Sequence, residues 1–277
     1  MENFSKQEFE IQKEELVRDL SAYKTSSKKP VGYLIVGQPG AGKSTMADIF
    51  VGEHSGNICF VSGDDYRRYH PHFSELQKRF GNDAVHYTQK FAGQMTEALI
   101  EALSRKKYNL IIEGTLRTTK VPLQTKALLV SRFYDVSLNV LLVRPEVSYL
   151  STIKRYREMK ALGGMPRFTP KEHHDLVVNS IIDNLDFIYR NHAIKQIRVF
   201  TREHEVLYDM QKTPQGNPAD LFRKEFSRPL YAGELEAIHQ HFDAYAGADV
   251  VSQVLEEYAE KAIERSLFKA RQKTRSR

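Results

Sequence analysis

The stretch Val31-Gly32-Tyr33-Leu34-Ile35-Val36-Gly37-Gln38-Pro39-Gly40-Ala41-Gly42-Lys43-Ser44 decides the fold. Its first six residues are an apolar run between Pro30 and Gly37, which suits a strand buried on both faces. The rest matches the pattern G-x4-G-K-S/T, and an amphipathic helix with Met46, Ile49 and Phe50 follows it. Glycines let the backbone curl so that consecutive N–H groups face one anion. The helix that starts there adds its positive end. Lys43 places a charge on the β- and γ-phosphates, and the Ser44 hydroxyl can ligate Mg²⁺. Gly37, Gln38, Pro39, Gly40, Ala41, Gly42, Lys43, Ser44 and Thr45 are therefore the expected triphosphate-binding residues, with Mg²⁺ as cofactor.

Working outward, further apolar runs at Ile58–Val61, Asn109–Ile112 and Leu138–Val143 read as strands, and Gln196–Phe200 as a weaker fifth. Helical stretches separate them at about 43–53, 84–105, 120–132, 146–161 and 170–190. The alternation predicts an α/β fold of the P-loop NTPase type, a parallel sheet flanked by helices. Phe4, Phe9, Ile11, Leu16, Leu20 and Tyr23 mark an N-terminal helix over 4–24, followed by the breaker Thr25–Pro30. After Pro214 and Pro218 the chain reads as helices only, roughly 219–226, 232–244 and 248–268. The expected organisation is an N-terminal helix and linker (1–28), a P-loop core (29–213) and C-terminal helices with a basic tail (214–277), in one globular unit.

In an open parallel sheet the ligand crevice lies beyond the carboxyl ends of the strands. Asp64 and Asp65 follow the second strand, where a carboxylate can take the proton of an acceptor hydroxyl or hold Mg²⁺. The pattern alone weighs these two roles equally. Glu113 and Thr115 follow the third strand and can bond sugar hydroxyls or an amide, and Arg117 can grip a phosphate. A plain strand-to-helix turn capped by Thr118 or Thr119 is the bland alternative. Arg155 and Arg167 flank Gly163-Gly164 and suit a mobile lid that stabilises charge on the transferring phosphoryl group. Lys154, Arg157 and Lys160 read as a solvated helix face. Cys59 reads as a small buried hydrophobe, His70 and His72 lack a third metal ligand, and His173-His174 suits local packing or solvent.

The chain has 277 residues and a formal net charge of +6. Five of those charges are Lys269, Arg271, Lys273, Arg275 and Arg277, which leaves +1 for residues 1–268. Such a tail is expected to be a solvated end. It lacks interleaved aromatics, so a nucleic-acid partner ranks last. The lone cysteine excludes an internal disulfide framework, and no apolar run reaches the length of a membrane helix. The polar start, Met1–Glu10, is not a secretory signal, and a cytoplasmic protein is expected. No N-K-x-D guanine pattern occurs, so a GTPase reading is disfavoured.

Taken together, the motifs are similar to those of the zeta toxin family, kinases of UDP-N-acetylglucosamine from bacterial toxin–antitoxin systems. The segments that carry this are the P-loop at 37–44, Asp64 with His70-Pro71-His72-Phe73, Met95-Thr96-Glu97, and Tyr108 to Thr115. Arg117-Thr118-Thr119, Val121-Pro122, Gln124-Thr125, Tyr149-Leu150, Thr152-Ile153, Arg155-Tyr156, Arg167 and Thr169-Pro170-Lys171 continue it. The resemblance spans about residues 30 to 210 and implies Asp64 as general base on the sugar 3′-hydroxyl; Asp65 has no counterpart in the pattern. It implies Lys43, Arg155 and Arg167 on the ATP phosphates, Ser44 on Mg²⁺, and Glu97, Glu113, Thr115, Arg117 and Thr125 on the UDP-sugar. The product implied is UDP-N-acetylglucosamine-3′-phosphate, which starves cell-wall precursor synthesis, and the implied partner is an antitoxin that obstructs the ATP site. Leu116 stands where a small residue is expected, and the basic tail has no place in the pattern. The N-terminal helix suits either an antitoxin-binding surface or a shield over the nucleotide site. A P-loop kinase of another small hydroxyl compound is the alternative activity.

Overall fold

The computed structural model describes residues 3–164, 166–212 and 215–275, with side chains up to residue 267. Six strands form one sheet: β1 (Val31–Val36), β2 (Cys59–Ser62), β3 (Leu110–Gly114), β4 (Asp135–Leu141), β5 (Ile197–Phe200) and β6 (Val206–Asp209). Their order across the sheet is β2-β3-β1-β4-β5-β6. All neighbours are parallel except β5 and β6. From β1 the chain passes to one side of the sheet and later returns on the other, so the switch in direction falls at the P-loop. A crevice for a ligand opens at such a switch.

The helices are α1 (Lys6–Leu20), α2 (Lys43–Glu53), α3 (Phe73–Phe80), α4 (Ala84–Arg105), α5 (Lys120–Ser131), α6 (Pro145–Ala161), α7 (Lys171–Arg190), α8 (Pro218–Glu225), α9 (Ala232–Ala246) and α10 (Ala248–Arg275). A 3₁₀ turn, Gly63–Tyr69, follows β2. Several ends are chemically marked. Ser5 and Glu8 close a capping box on α1, Pro145 opens α6, and the Asn217 side chain accepts the Ala219 N–H to cap α8. Phe91, Met95, Leu99 and Leu103 of α4 and Val178, Ile181, Leu185 and Ile188 of α7 enter the core cluster that holds Leu34, Val36, Leu138 and Val140 of the sheet. Phe4 and Phe9 lock α1 against Phe91, with ring centroids 5.0 and 5.6 Å away. α1 thus lies along α4. α9 and α10 pack on α6 through Ile238, Phe242, Val251, Val254 and Leu255 around Leu150.

The parallel α/β sheet, the N-terminal helix and the helical C-terminal extension agree with the sequence reading. The differences have local causes. β4 starts at Asp135, before the apolar run, because Ser137 and Asn139 are buried as a bonded pair, Asn139 Nδ2 donating to Ser137 Oγ at 3.0 Å. β6 is an edge strand of four residues with Val206 and Leu207 exposed, so it carries no apolar run. α3 is a helix that the sequence reading lacks, although Phe73, Leu76 and Phe80 recur in it at helical spacing. α10 continues to Arg275, beyond the expected stop at residue 268. The last two residues of the basic tail, and all its side chains, lie outside the described residues. No described helix is long and apolar enough to cross a membrane.

Candidate active site

The loop from β1 into α2 is shaped by close packing. Gly40 has φ +79°, and a Cβ built there would lie 2.0 Å from the Ser148 carbonyl oxygen of α6. Only glycine lets the loop press against that helix. The Ala41 N–H donates to the Gln38 carbonyl at 3.1 Å, and the buried Gln38 amide donates to the Val143 carbonyl beyond β4. Gly42, at φ +95°, precedes α2 and supplies no side-chain cap. The first N–H groups of α2 are thus left without an intrahelical or side-chain acceptor, as an anion cradle requires. Ser44 and Thr45 are exposed on its first turn.

Lys43 is 7 % exposed. Its ammonium donates to the carbonyls of Gly37 and Gln38, both at 3.1 Å, and lies 3.5 Å from Glu113 Oε1. Burial pulls its pKa down, against the opposing pull of Glu113 and Asp64. Glu113 sits at the carboxyl end of β3, in register with Ile35 of β1. Its Oε2 is buried and has no hydrogen-bond partner among the described residues. A buried carboxylate oxygen without a partner is costly, and it suits a hydroxyl, amide or hydrated cation.

Asp64 stands in the 3₁₀ turn after β2, with its side chain 60 % exposed. Arg67 Nε donates to Asp64 Oδ1 at 3.1 Å, and Arg67 Nη1 donates to the Val85 carbonyl at 2.8 Å, which ties the turn to α4. Crowding by the cleft walls pushes the Asp64 pKa up. Arg67, with Lys43 and Arg167, outweighs this and holds the carboxyl below its usual value. Asp64 is therefore ionised at neutral pH. Asp65 pairs with Arg167 and lies 3.7 Å from Arg68.

The structure brings most of the expected residues together. Asp64, Glu113 and Arg155 all act on the Lys43 charge, and Arg167 acts on Asp64. Arg155 is carried by α6, and its Nε is buried without a partner among the described residues. Arg117 faces His173, which also feels Asp64 and Arg67; burial, then Arg117, lowers the His173 pKa. Thr115 is half-buried in the loop after β3. Glu97 is exposed on α4, and Thr125 is half-buried on α5. Leu116, with φ +56°, turns its side chain into the core cluster and offers its carbonyl to Asn184 Nδ2 at 2.9 Å. Its side chain therefore adds core volume.

One local expectation changes. Thr119 precedes α5 without a side-chain cap hydrogen bond, so a threonine cap there is not formed. His174 is fully buried, with Nε2 2.8 Å from Ser148 Oγ and Nδ1 3.0 Å from the Tyr258 hydroxyl. His70 packs among Phe4 and Phe91. Cys59 is buried mid-sheet, and burial pushes its thiol up to about 11. Sequence reasoning missed Arg67, although its position three residues after Asp64 is the spacing of a side-chain pair within one turn. It also missed the link from His174 to Tyr258, which spans 84 residues and leaves no local trace.

The Zeta toxin family model matches residues 13–213. Toxin PezT of Streptococcus pneumoniae serotype 4 is 41% identical over 213 residues, covering 76% of this chain and 84% of that protein. Toxin zeta of Streptococcus pyogenes is 36% identical over 235 residues, covering 84% of this chain and 82% of that protein. A structure from the PezAT chromosomal toxin–antitoxin system of Streptococcus pneumoniae superposes with a TM-score of 0.76 at 34% identity, covering 95% of this chain and 98% of that one.

Proposed function

The chain belongs to the zeta toxin family, and from that premise we propose that it is a toxin kinase which transfers the γ-phosphoryl group of ATP to the 3′-hydroxyl of the N-acetylglucosamine in UDP-N-acetylglucosamine. The single observation that carries the reading is the meeting of a P-loop lysine, an ionised Asp64 and a partnerless Glu113 oxygen at the carboxyl ends of three neighbouring strands. A phosphate cradle beside a carboxylate is what transfer to a hydroxyl needs.

The 37–45 loop and the start of α2 hold the triphosphate. Lys43 exchanges its two loop carbonyls for phosphate oxygens, and Arg155 and Arg167 meet the charge that spreads over the transferring group. The Ser44 hydroxyl would hold Mg²⁺, which would neutralise phosphate charge when bound. Glu97, Glu113, Thr115, Arg117 and Thr125 hold the UDP-sugar, with the Glu113 Oε2 taking a donor from it. The acceptor oxygen then bonds to the γ-phosphorus as the bond from phosphorus to the ADP oxygen breaks. The hydroxyl proton passes to Asp64. A carboxylate with a depressed pKa is a weak base, which suits a loose transition state in which the proton leaves late.

An antitoxin that covers the ATP site is the partner this reading implies, in line with the toxin–antitoxin system of the similar pneumococcal protein. Leu116, the departure from the family pattern, has its side chain in the core cluster. The test is incubation of the purified chain with Mg-ATP and UDP-N-acetylglucosamine, followed by mass spectrometry. One added phosphate that is absent without ATP supports the reading. An unchanged sugar nucleotide overturns it.

A further inference from the structure

The cleft cations have different commitments. Lys43 rests on loop carbonyls and Glu113, and Arg155 keeps a buried Nε without a partner among the described residues. Arg167 is engaged by Asp65, with 33 % and 27 % of the two side chains exposed. Asp64, one residue away, is occupied by Arg67 at 3.1 Å, so the neighbouring carboxylates divide the cations between them.

The segment that carries Arg167 can move at low cost. Residues 166–170 form neither helix nor strand between α6 and α7. Gly163 has φ +70°, and Gly164 follows it. Leu162 is exposed, and Phe168 rests edge-on against Tyr156 with centroids 5.9 Å apart. Among the described residues 166–170, Arg167 holds an ion pair and Phe168 a ring contact, and none of the five is fully buried.

We propose that Asp65 is a positioning residue that parks the Arg167 guanidinium beside Asp64 until nucleotide arrives. ATP binding then includes an exchange in which a phosphate oxygen replaces the Asp65 carboxylate on Arg167. The inference rests on the kinase reading and assigns a role to Asp65 within that site. The exchange sets how tightly the enzyme takes ATP, because the pair must break before Arg167 can serve a phosphate.

The test is a thermodynamic cycle read by isothermal titration calorimetry, with Mg²⁺ and the non-hydrolysable ATP analogue AMP-PNP and no acceptor. Asp65→Asn should tighten binding by about two- to fivefold, the scale of a partly exposed ion pair. Arg167→Ala should weaken binding. Adding Asp65→Asn to Arg167→Ala should then change nothing, since no guanidinium remains to release. Asp65→Glu should keep wild-type affinity. Unchanged or weaker binding by Asp65→Asn overturns the proposal. So does the same gain in the Arg167→Ala background, which would mark general removal of negative charge. No binding of AMP-PNP to the wild-type chain overturns the kinase reading and the parking role with it; binding without coupling overturns the parking role alone.

Discussion

Gly40 and Gly42 sit two residues apart in the same loop, and the structure gives them different tolerances. Both have positive φ, but a Cβ on Gly40 collides with backbone of α6, whereas one on Gly42 meets nothing within 4 Å. Gly40→Ala should cost about 3 kcal/mol or more, from steric overlap added to backbone strain. Gly42→Ala should cost only about 1 kcal/mol, from the left-handed backbone alone. Urea denaturation of the two variants checks the order, and equal losses would contradict the packing of the loop on Ser148. Arg67 supports a second prediction at this scale. Because Arg67 holds the Asp64 carboxyl below its usual value, Arg67→Gln should let that pKa rise. The acid limb of the pH profile of kcat/KM should then move to higher pH, since Asp64 must be ionised to accept a proton. An unmoved limb would separate Asp64 from the base role.

At the scale of elements, α6, α7 and α10 meet at His174. Asp175 accepts the Tyr258 hydroxyl at 2.5 Å, which leaves the Tyr258 oxygen to accept from His174 Nδ1–H at 3.0 Å. Ser148 Oγ, 2.8 Å from His174 Nε2, also lies 3.0 Å from the Pro145 carbonyl, and burial favours the neutral imidazole. Lys171 and Lys261 complete the Asp175 shell at 2.7 and 2.9 Å. Burial lowers the His174 pKa from 6.5 despite Asp175. The unfolded chain therefore takes up a proton near pH 6.5 that the folded chain refuses, and stability falls as pH drops below that value toward the depressed pKa. His174→Asn should flatten this part of the stability–pH curve, and Tyr258→Phe should cost about 1–2 kcal/mol from the lost bonds. Thermal melts between pH 7 and pH 5 measure both, and a wild-type curve flat over that range would contradict a neutral buried imidazole. Strands with apolar runs, such as β1, were legible in the sequence, and so was the loop that follows it. β6 was not, because an exposed edge strand leaves no apolar run, and α3 went unread although Phe73, Leu76 and Phe80 fall at helical spacing, because eight residues make only two turns. Asp64, Lys43 and Glu113 were legible because each ends or follows a strand that could be read. Arg67 and Asp65 take their roles from side-chain pairing, and that exists only once the 3₁₀ turn is folded.

Across the whole molecule, charge and topology separate two kinds of positive residue. Five of the six net charges belong to the final nine residues, while Lys43, Arg155 and Arg167 gather where β1, β2 and β3 end. The sheet order places the P-loop at the switch point, and α6 and the segment before α7 carry the two arginines after β4. α10, beyond the family match at residue 213, braces both helices through Tyr258 and Leu255. On the proposed kinase reading, this charge is directed at a small phosphorylated molecule. The measurement that tests this most directly compares wild-type chain with Asp64→Asn, using Mg-ATP and UDP-N-acetylglucosamine, with the product located by phosphorus and proton NMR. The account predicts a phosphate on the sugar 3′-oxygen with wild type and a rate lower by about 10²-fold or more with Asp64→Asn. Phosphate at another position, or equal rates for the two proteins, would contradict it.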